Sequence, residues 1–302
     1  MSTADTRVVT ADDGTRIVAH VSGPDDADRT VILAHGWTLS SAAWRPVIAQ
    51  LCRIAPGLRV VAYDQRHHGE SGRSDTPLSI DVLGTDLAAV VRQLAPYGRL
   101  LLGGHSMGGM TVMALAAAHP DLIAQRVDGV ALVGTSAGGH AADPLLRLLS
   151  GPLGETLRRY APVLDRARRL APPAVPAHQH LARRLLFGPL AATEVVRAGA
   201  ELVHACPLRT LLEFVPALRD HDKRDQLAPL SAVPVHVLVG DRDRLTPPRR
   251  ARFLAEHIAG ARLTVLPRYG HMLTLERPET VARAIADLAV RQEGERHAPL
   301  TA

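Results

Sequence analysis

Short, dense runs of apolar residues alternate along most of the chain with stretches whose apolar residues recur at helical spacing. Arg7 to Gly23 alternates apolar and polar positions around Asp12-Asp13-Gly14, which predicts a hairpin turning at the Asp-Gly step. Thr30 to Ala34, Arg59 to Tyr63, Leu100 to Leu102 and Val127 to Val133 are almost wholly apolar. Strands of that kind have no wet face and belong in the middle of a sheet covered on both sides. Pro234 to Val239 and Arg262 to Leu266 extend the series. Between them, Ser40 or Ser41 is expected to cap a helix running to about Cys52. Asp81 to Leu94 carries Val82, Leu83, Leu87, Val90, Val91 and Leu94 at helical spacing. Met110 to His119, Arg249 to Ile258 and Pro278 to about Gln292 also read as helices, the last with its proline in a first turn. Such alternation builds a mostly parallel sheet with helices on both faces.

The rhythm breaks between residues 137 and 230, where no strand candidate occurs. Leu153, Leu157, Tyr160, Leu164 and Ala167 form a helical stripe, which prolines 172, 173 and 176 end. Leu181 to Phe187, Glu194 to His204 and Leu208 to Phe214 read as further short helices. The expected organisation is an α/β core of residues 1–136 and 231–302 with an all-helical insertion, 137–230. That insertion leaves the sheet at the end where ligands bind, in the position of a lid. Glu293 to Ala302 is expected to fray.

Composition narrows this picture. A chain of 302 residues can bury one large core or a core with a smaller lobe. At 46% hydrophobic and 22% charged residues it is ordinary for a soluble globular protein. The first 14 residues are polar, and no run approaches the roughly 20 apolar residues of a membrane span. A soluble, cytoplasmic protein without a membrane partner is expected. Cys52 and Cys206 lack metal-ligand or redox spacing and read as free thiols rather than a disulfide; neither a metal nor a cofactor is implied. The net charge is +5, and every basic residue but Lys223 is arginine. Acids are interspersed and aromatic residues are not, which argues against nucleic-acid binding. The insertion holds 13 basic and 9 acidic residues, so it carries most of the excess.

The chemistry centres on Gly103-Gly104-His105-Ser106-Met107-Gly108-Gly109, which joins an apolar strand to an Ala-rich helix. Gly104-x-Ser106-x-Gly108 at such a junction is a nucleophile elbow, a turn so sharp that its central serine is strained. Gly104 and Gly108 leave room where side chains would meet neighbouring backbone. The Met107 N–H points to where a negative oxygen would develop. A serine hydroxyl needs a base to take its proton and an acid to orient that base. Of 15 histidines, His271 stands out on the loop after the last strand. Two acids follow the penultimate strand. Asp241 is expected to hold N–H groups of its own loop, whereas Asp243, two residues further out, is preferred as the partner of His271.

In the order Ser106, Asp243, His271 the chain resembles the α/β-hydrolase fold family, and its loops resemble that family's motifs too. His35-Gly36-Trp37 is similar to the oxyanion loop, which implies that the Trp37 N–H is a second donor beside Met107. Asp64 to Gly72 is similar to a D-x-R-G-H-G-x-S turn, with His67 where glycine is usual. Gly240 to Pro247 and Gly270-His271 followed by Glu276-Arg277-Pro278 resemble the acid and histidine loops. The resemblance spans about residues 7 to 292 and implies a serine hydrolase acting on a small-molecule ester or other acyl substrate through an acyl-enzyme. The same fold also supports thioesterases, lactonases, carbon–carbon hydrolases, haloperoxidases, acyltransferases, cyclases and ligand receptors, so the fold leaves the reaction open. The leucines and valines of 137–230 predict an apolar acyl pocket, with an anionic group accommodated near its rim.

Overall fold

The computed structural model describes residues 4–170 and 175–296. Prolines 172 and 173, and residues 297 to 302 of the expected frayed end, lie outside the described residues. Eight strands form one sheet: β1 (Asp5–Thr10), β2 (Arg16–Ser22), β3 (Arg29–Ala34), β4 (Arg59–Tyr63), β5 (Arg99–His105), β6 (Val127–Val133), β7 (Val235–Gly240) and β8 (Arg262–Leu266). Their spatial order is β1-β2-β4-β3-β5-β6-β7-β8. β1, β2 and β4 pair antiparallel, and every pair from β4 to β8 is parallel.

The two-residue period of a strand sorts its side chains between two cores. Ile32, Ala34, Leu100 and Leu102 join one apolar cluster, while Val31, Leu33 and Leu101 join the other. On the first face lie α2 (Ile80–Leu94), α3 (Met107–Ala118), α4 (Pro120–Arg126) and α11 (Pro248–His257). On the second lie α1 (Arg45–Ile54) and α13 (Pro278–Arg296). Burial on both sides explains why these strands read as unbroken apolar runs.

Between β6 and β7 the chain runs through α5 (Pro144–Ser150), α6 (Pro152–Leu170), α7 (Val175–Leu186), α8 (Thr193–Ala205), α9 (Leu208–Glu213) and α10 (Val215–Asp220), with no strand among the described residues. A third apolar cluster joins Ala182 and Phe187, at the end of α7, and Val196 and Ala200 of α8 to Leu39, Met272 and Leu275 of the loops beyond the sheet. The helical segment is thereby fixed against the carboxyl ends of the strands.

Several boundaries differ from expectation. α3 begins at Met107 rather than Met110, and α4 begins at Pro120 itself. A 3₁₀ turn, Ser41–Trp44, precedes α1; neither serine caps it by its side chain, since the Ser40 cap makes no side-chain bond and the Ser41 N–H donates to Asp64 Oδ1 at 2.7 Å. Pro176 sits in the first turn of α7, where its missing N–H costs nothing. The last helix continues to Arg296. α5, α10 and the single turn α12 (Leu273–Glu276) are too short to show a period in the sequence. Cys52 and Cys206 are not joined in a disulfide.

One buried ion pair ties the loop after β4 to α2. Arg66 donates through Nε and Nη2 to Asp86 Oδ2 and Oδ1 at 2.6 and 2.7 Å, and its Nη1 reaches Asp13 Oδ2 and Ser74 Oγ at 2.9 and 2.8 Å. Removing Asp86 leaves the buried Arg66 Nε and Nη2 donors without an acceptor, with only the partly exposed Asp13 still facing the charge. Asp86→Ala is expected to cost about 3–5 kcal/mol of stability, read as a lower urea midpoint, whereas the apolar pair Arg66→Met with Asp86→Leu recovers most of the loss. A single-mutant midpoint equal to that of the parent would rule out this role.

Candidate active site

Ser106 follows the last residue of β5 and caps α3 with φ 53° and ψ −120°, a left-handed conformation that a residue with a Cβ adopts only under strain. The surrounding packing explains why. A Cβ on Gly104 would lie 2.5 Å from the carbonyl oxygen of Gly108, and one on Gly108 would lie 2.0 Å from that of Ala34, so glycines at both places let the chain reverse in contact with β3. The Ser106 N–H donates to the Val133 carbonyl at 2.9 Å, and the Thr135 hydroxyl donates to the Ser106 carbonyl at 2.7 Å. Met107 is the first residue of α3, so its N–H has no carbonyl within the helix to receive it and sits at the positive end of the helix dipole.

β3 pairs alongside, Ala34 opposite Gly104, and brings His35-Gly36-Trp37 next to the elbow. This loop is held from several sides. His35 Nε2 accepts the Gln65 N–H at 2.9 Å, Gln65 Nε2 donates to the His35 carbonyl at 2.6 Å, and the Thr111 hydroxyl donates to Gln65 Oε1 at 2.7 Å. His68 Nε2 accepts the Thr38 N–H at 3.3 Å. Burial drives both imidazoles toward their neutral forms, His35 below and His68 well below the ordinary histidine range, which keeps each Nε2 an acceptor. The Trp37 indole N–H donates to the Leu211 carbonyl of α9 at 3.1 Å, tying this loop to the helical segment.

His67 occupies the usual glycine position with φ 65°, so the backbone keeps a glycine-like turn despite the side chain. The imidazole compensates by bridging outward. Its Nε2 accepts the Ser74 N–H at 3.1 Å, its Nδ1 meets Glu213 Oε2 at 3.1 Å, and its carbonyl accepts the Thr210 hydroxyl at 3.0 Å.

The acid and histidine loops meet at the carboxyl ends of β7 and β8. His271 Nδ1–H donates to Asp243 Oδ2 at 2.8 Å, and both side chains are almost wholly buried. Asp243 Oδ1 accepts the N–H groups of Leu245 and Thr246 at 2.9 and 2.8 Å, and Oδ2 also accepts the Thr246 hydroxyl at 2.8 Å. Burial alone would raise this carboxyl; the adjoining His271 and the Thr246 donors outweigh it and hold the pKa below the usual carboxylate value. The expectation for Asp241 needs correcting. Asp241 Oδ1 accepts the Arg268 N–H of the histidine loop at 2.6 Å; it is Asp243 that holds its own loop's N–H groups and His271 together, one oxygen for each task.

Further supports were not evident from the sequence. The Glu276 carboxylate accepts the Gly270 N–H at 3.0 Å and the Gly188 N–H at 2.8 Å, clamping the histidine loop to the residue two beyond α7. The His271 N–H donates to the Leu186 carbonyl at 2.7 Å. His105 Nε2–H donates to the His271 carbonyl at 2.9 Å, with the two rings 4.9 Å apart; burial, and then the neighbouring His271, push His105 down to about 3. Its ring is therefore held in the neutral form beside His271. His105 adjoins the serine in sequence, but its partner lies 166 residues away, and fifteen histidines gave no way to choose it.

Ser106, His271, Gly36, Trp37 and Met272 border one cavity of about 280 Å³. The rest of its wall is chiefly apolar, with Leu145 and Leu149 of α5, Leu181 and Leu185 of α7, Val203 of α8 and Leu211 of α9. Among the described residues, no Lys, Arg, Asp or Glu lines it. The three side chains singled out in the sequence are therefore gathered at one end of the sheet, two of them hydrogen-bonded and the serine opening on the same cavity as the imidazole.

Comparison with known proteins agrees with this architecture. Residues 29–278 match the model of the alpha/beta hydrolase fold. A pimeloyl-[acyl-carrier protein] methyl ester esterase of Neisseria meningitidis is 28% identical over 263 residues, covering 87% of this chain and 94% of that protein. A non-heme haloperoxidase of Rhodococcus erythropolis is 29% identical over 286 residues, covering 90% and 95%. Among solved structures, a thermophilic esterase from Thermogutta terrifontis superposes with a TM-score of 0.75 at 26% identity, covering 95% of this chain and 99% of that one.

Proposed function

The chain belongs to the α/β-hydrolase fold family, and from that premise we propose that it is a serine hydrolase cleaving carboxylic esters with an apolar acyl group. The observation that carries this reading is the Asp243–His271 hydrogen bond beside a strained serine on a shared apolar cavity. Esterases recur among its relatives.

Each role follows from the bonding pattern. Asp243 fixes the His271 tautomer with the proton on Nδ1, leaving Nε2 to accept the Ser106 hydroxyl proton as Oγ attacks the acyl carbon. The Trp37 and Met107 N–H groups stabilise the negative oxygen of the tetrahedral intermediate. As that intermediate collapses, the carbon–oxygen bond to the alcohol breaks and His271 Nε2–H protonates the leaving oxygen. A water molecule then attacks the acyl-enzyme, with His271 again as base; the bond from the acyl carbon to Ser106 Oγ breaks, His271 returns the proton to that oxygen, and the acid is released. In this reading residues 1–136 and 231–302 form the catalytic core and 137–230 a helical cap over its pocket.

A wall whose described residues include no Lys, Arg, Asp or Glu favours neutral acyl chains, because an unpaired carboxylate inside it would lose its hydration. For p-nitrophenyl esters, kcat/KM is expected to rise from acetate to hexanoate and to fall at least about tenfold when a short acyl chain ends in a carboxylate. An anion is accommodated only on a chain long enough to reach outside, near the exposed Arg184 and Arg244 beside the lining residues Leu185 and Leu245. A flat profile across the series would argue against an apolar acyl site.

A further inference from the structure

The mouth of the cavity has an unusual surface. Leu145, Leu181 and Leu185 line it, yet are 40%, 57% and 40% exposed, so they form its rim. Leu148, one turn beyond Leu145 on α5, does not line the cavity and is 55% exposed. α6 continues the pattern with Leu153, Tyr160, Val163 and Leu164. Among the described residues, nine of the twelve exposed large apolar side chains lie between 145 and 190.

Charge is concentrated in the same helices. Residues 144–190 contain eight arginines, no lysine and two acids, a net +6 that exceeds the +5 of the whole chain. One of the two acids is engaged elsewhere: Asp165 Oδ1 accepts the Leu208 N–H at 2.7 Å. Arg147, Arg159, Arg166 and Arg184 are exposed. Leucine and tyrosine interleaved with arginine on a helix is the composition of a surface that lies in a lipid–water interface, apolar groups entering the acyl boundary and guanidinium groups meeting anionic headgroups.

We propose that α5, α6 and α7 dock on an anionic lipid surface and that the leucine rim delivers apolar esters from that surface into the cavity. Contact is peripheral, since no helix among the described residues is long and apolar enough to cross a membrane. It departs from the sequence expectation that no membrane partner exists. Continuity of the rim with the cavity wall favours this occupant over an acidic protein, which would match the arginines but leave the leucines without purpose. The delivery step rests on the ester-hydrolase reading; the docking itself does not.

Co-sedimentation of the full chain with vesicles separates the two. Vesicles of phosphatidylcholine and phosphatidylglycerol in a 3:1 ratio are expected to bind at least about tenfold more protein than pure phosphatidylcholine vesicles. Binding should fall in high salt, which screens the headgroup charge, and weaken roughly fivefold for each of Arg159→Gln and Arg166→Gln. Leu148→Glu should abolish binding while leaving turnover of monomeric p-nitrophenyl acetate unchanged, because Leu148 lies outside the cavity wall. Ser106→Ala protein should bind vesicles as well as the parent, so loss of hydrolysis leaves the docking result intact. Equal binding to both vesicle types, or binding unaffected by Leu148→Glu, would overturn the proposal. So would a stable dimer in sedimentation velocity that Leu148→Glu dissolves, since a second copy would then occupy the face.

Discussion

Replacing Ser106 by alanine is expected to lower kcat by about 10⁴-fold or more with the fold intact. Serine at the end of β5 is held at φ 53° by packing that involves the backbone and two glycines, not its hydroxyl, so alanine fits the same turn. Thermal midpoint and far-ultraviolet circular dichroism should match the parent. Residual turnover would come from the Trp37 and Met107 N–H groups and the binding cavity, which remain. A variant with full turnover on a substrate the parent cleaves would remove covalent catalysis from consideration.

Asp243→Asn should cost a comparable factor, about 10⁴-fold in kcat, for a different reason. Asparagine retains an oxygen for the Leu245 and Thr246 N–H groups, so the loop can keep its shape. Facing His271, however, an amide NH₂ replaces the acceptor now 2.8 Å from Nδ1. The imidazole then places its proton on Nε2 and can no longer receive one from serine. Asp241→Asn is the paired control: it alters the bond to the Arg268 N–H and should reduce activity far less. Equal losses at both positions would indicate that loop structure, not tautomer control, underlies the effect.

The two variants also mark how far the sequence could be read. The buried strands were legible because a strand covered on both faces leaves an unbroken apolar run, as in Thr30 to Ala34. The elbow was legible because its geometry demands glycine at 104 and 108, and chain order pointed to His271. Other contacts that connect distant loops were not legible. The choice of Asp243 for His271 could be made from its place two residues beyond the strand, but that Asp241 turns to the Arg268 N–H depends on the packing of β7 against β8. Glu276 reads only as part of the histidine-loop motif, yet its carboxylate receives N–H groups from positions 188 and 270. His67 looked like a departure at a glycine position; the bonds to Ser74, Glu213 and Thr210 explain how a left-handed backbone is held there. Helices α5 and α10 escaped because six or seven residues are too few to establish a period.

The most direct measurement of the central claim is labelling by a serine-reactive fluorophosphonate followed by peptide mass spectrometry. An activated nucleophile predicts stoichiometric modification at Ser106, abolished in His271→Ala and strongly slowed in Asp243→Asn. Absence of labelling at Ser106 in folded parent protein, or labelling that persists unchanged without His271, would contradict it.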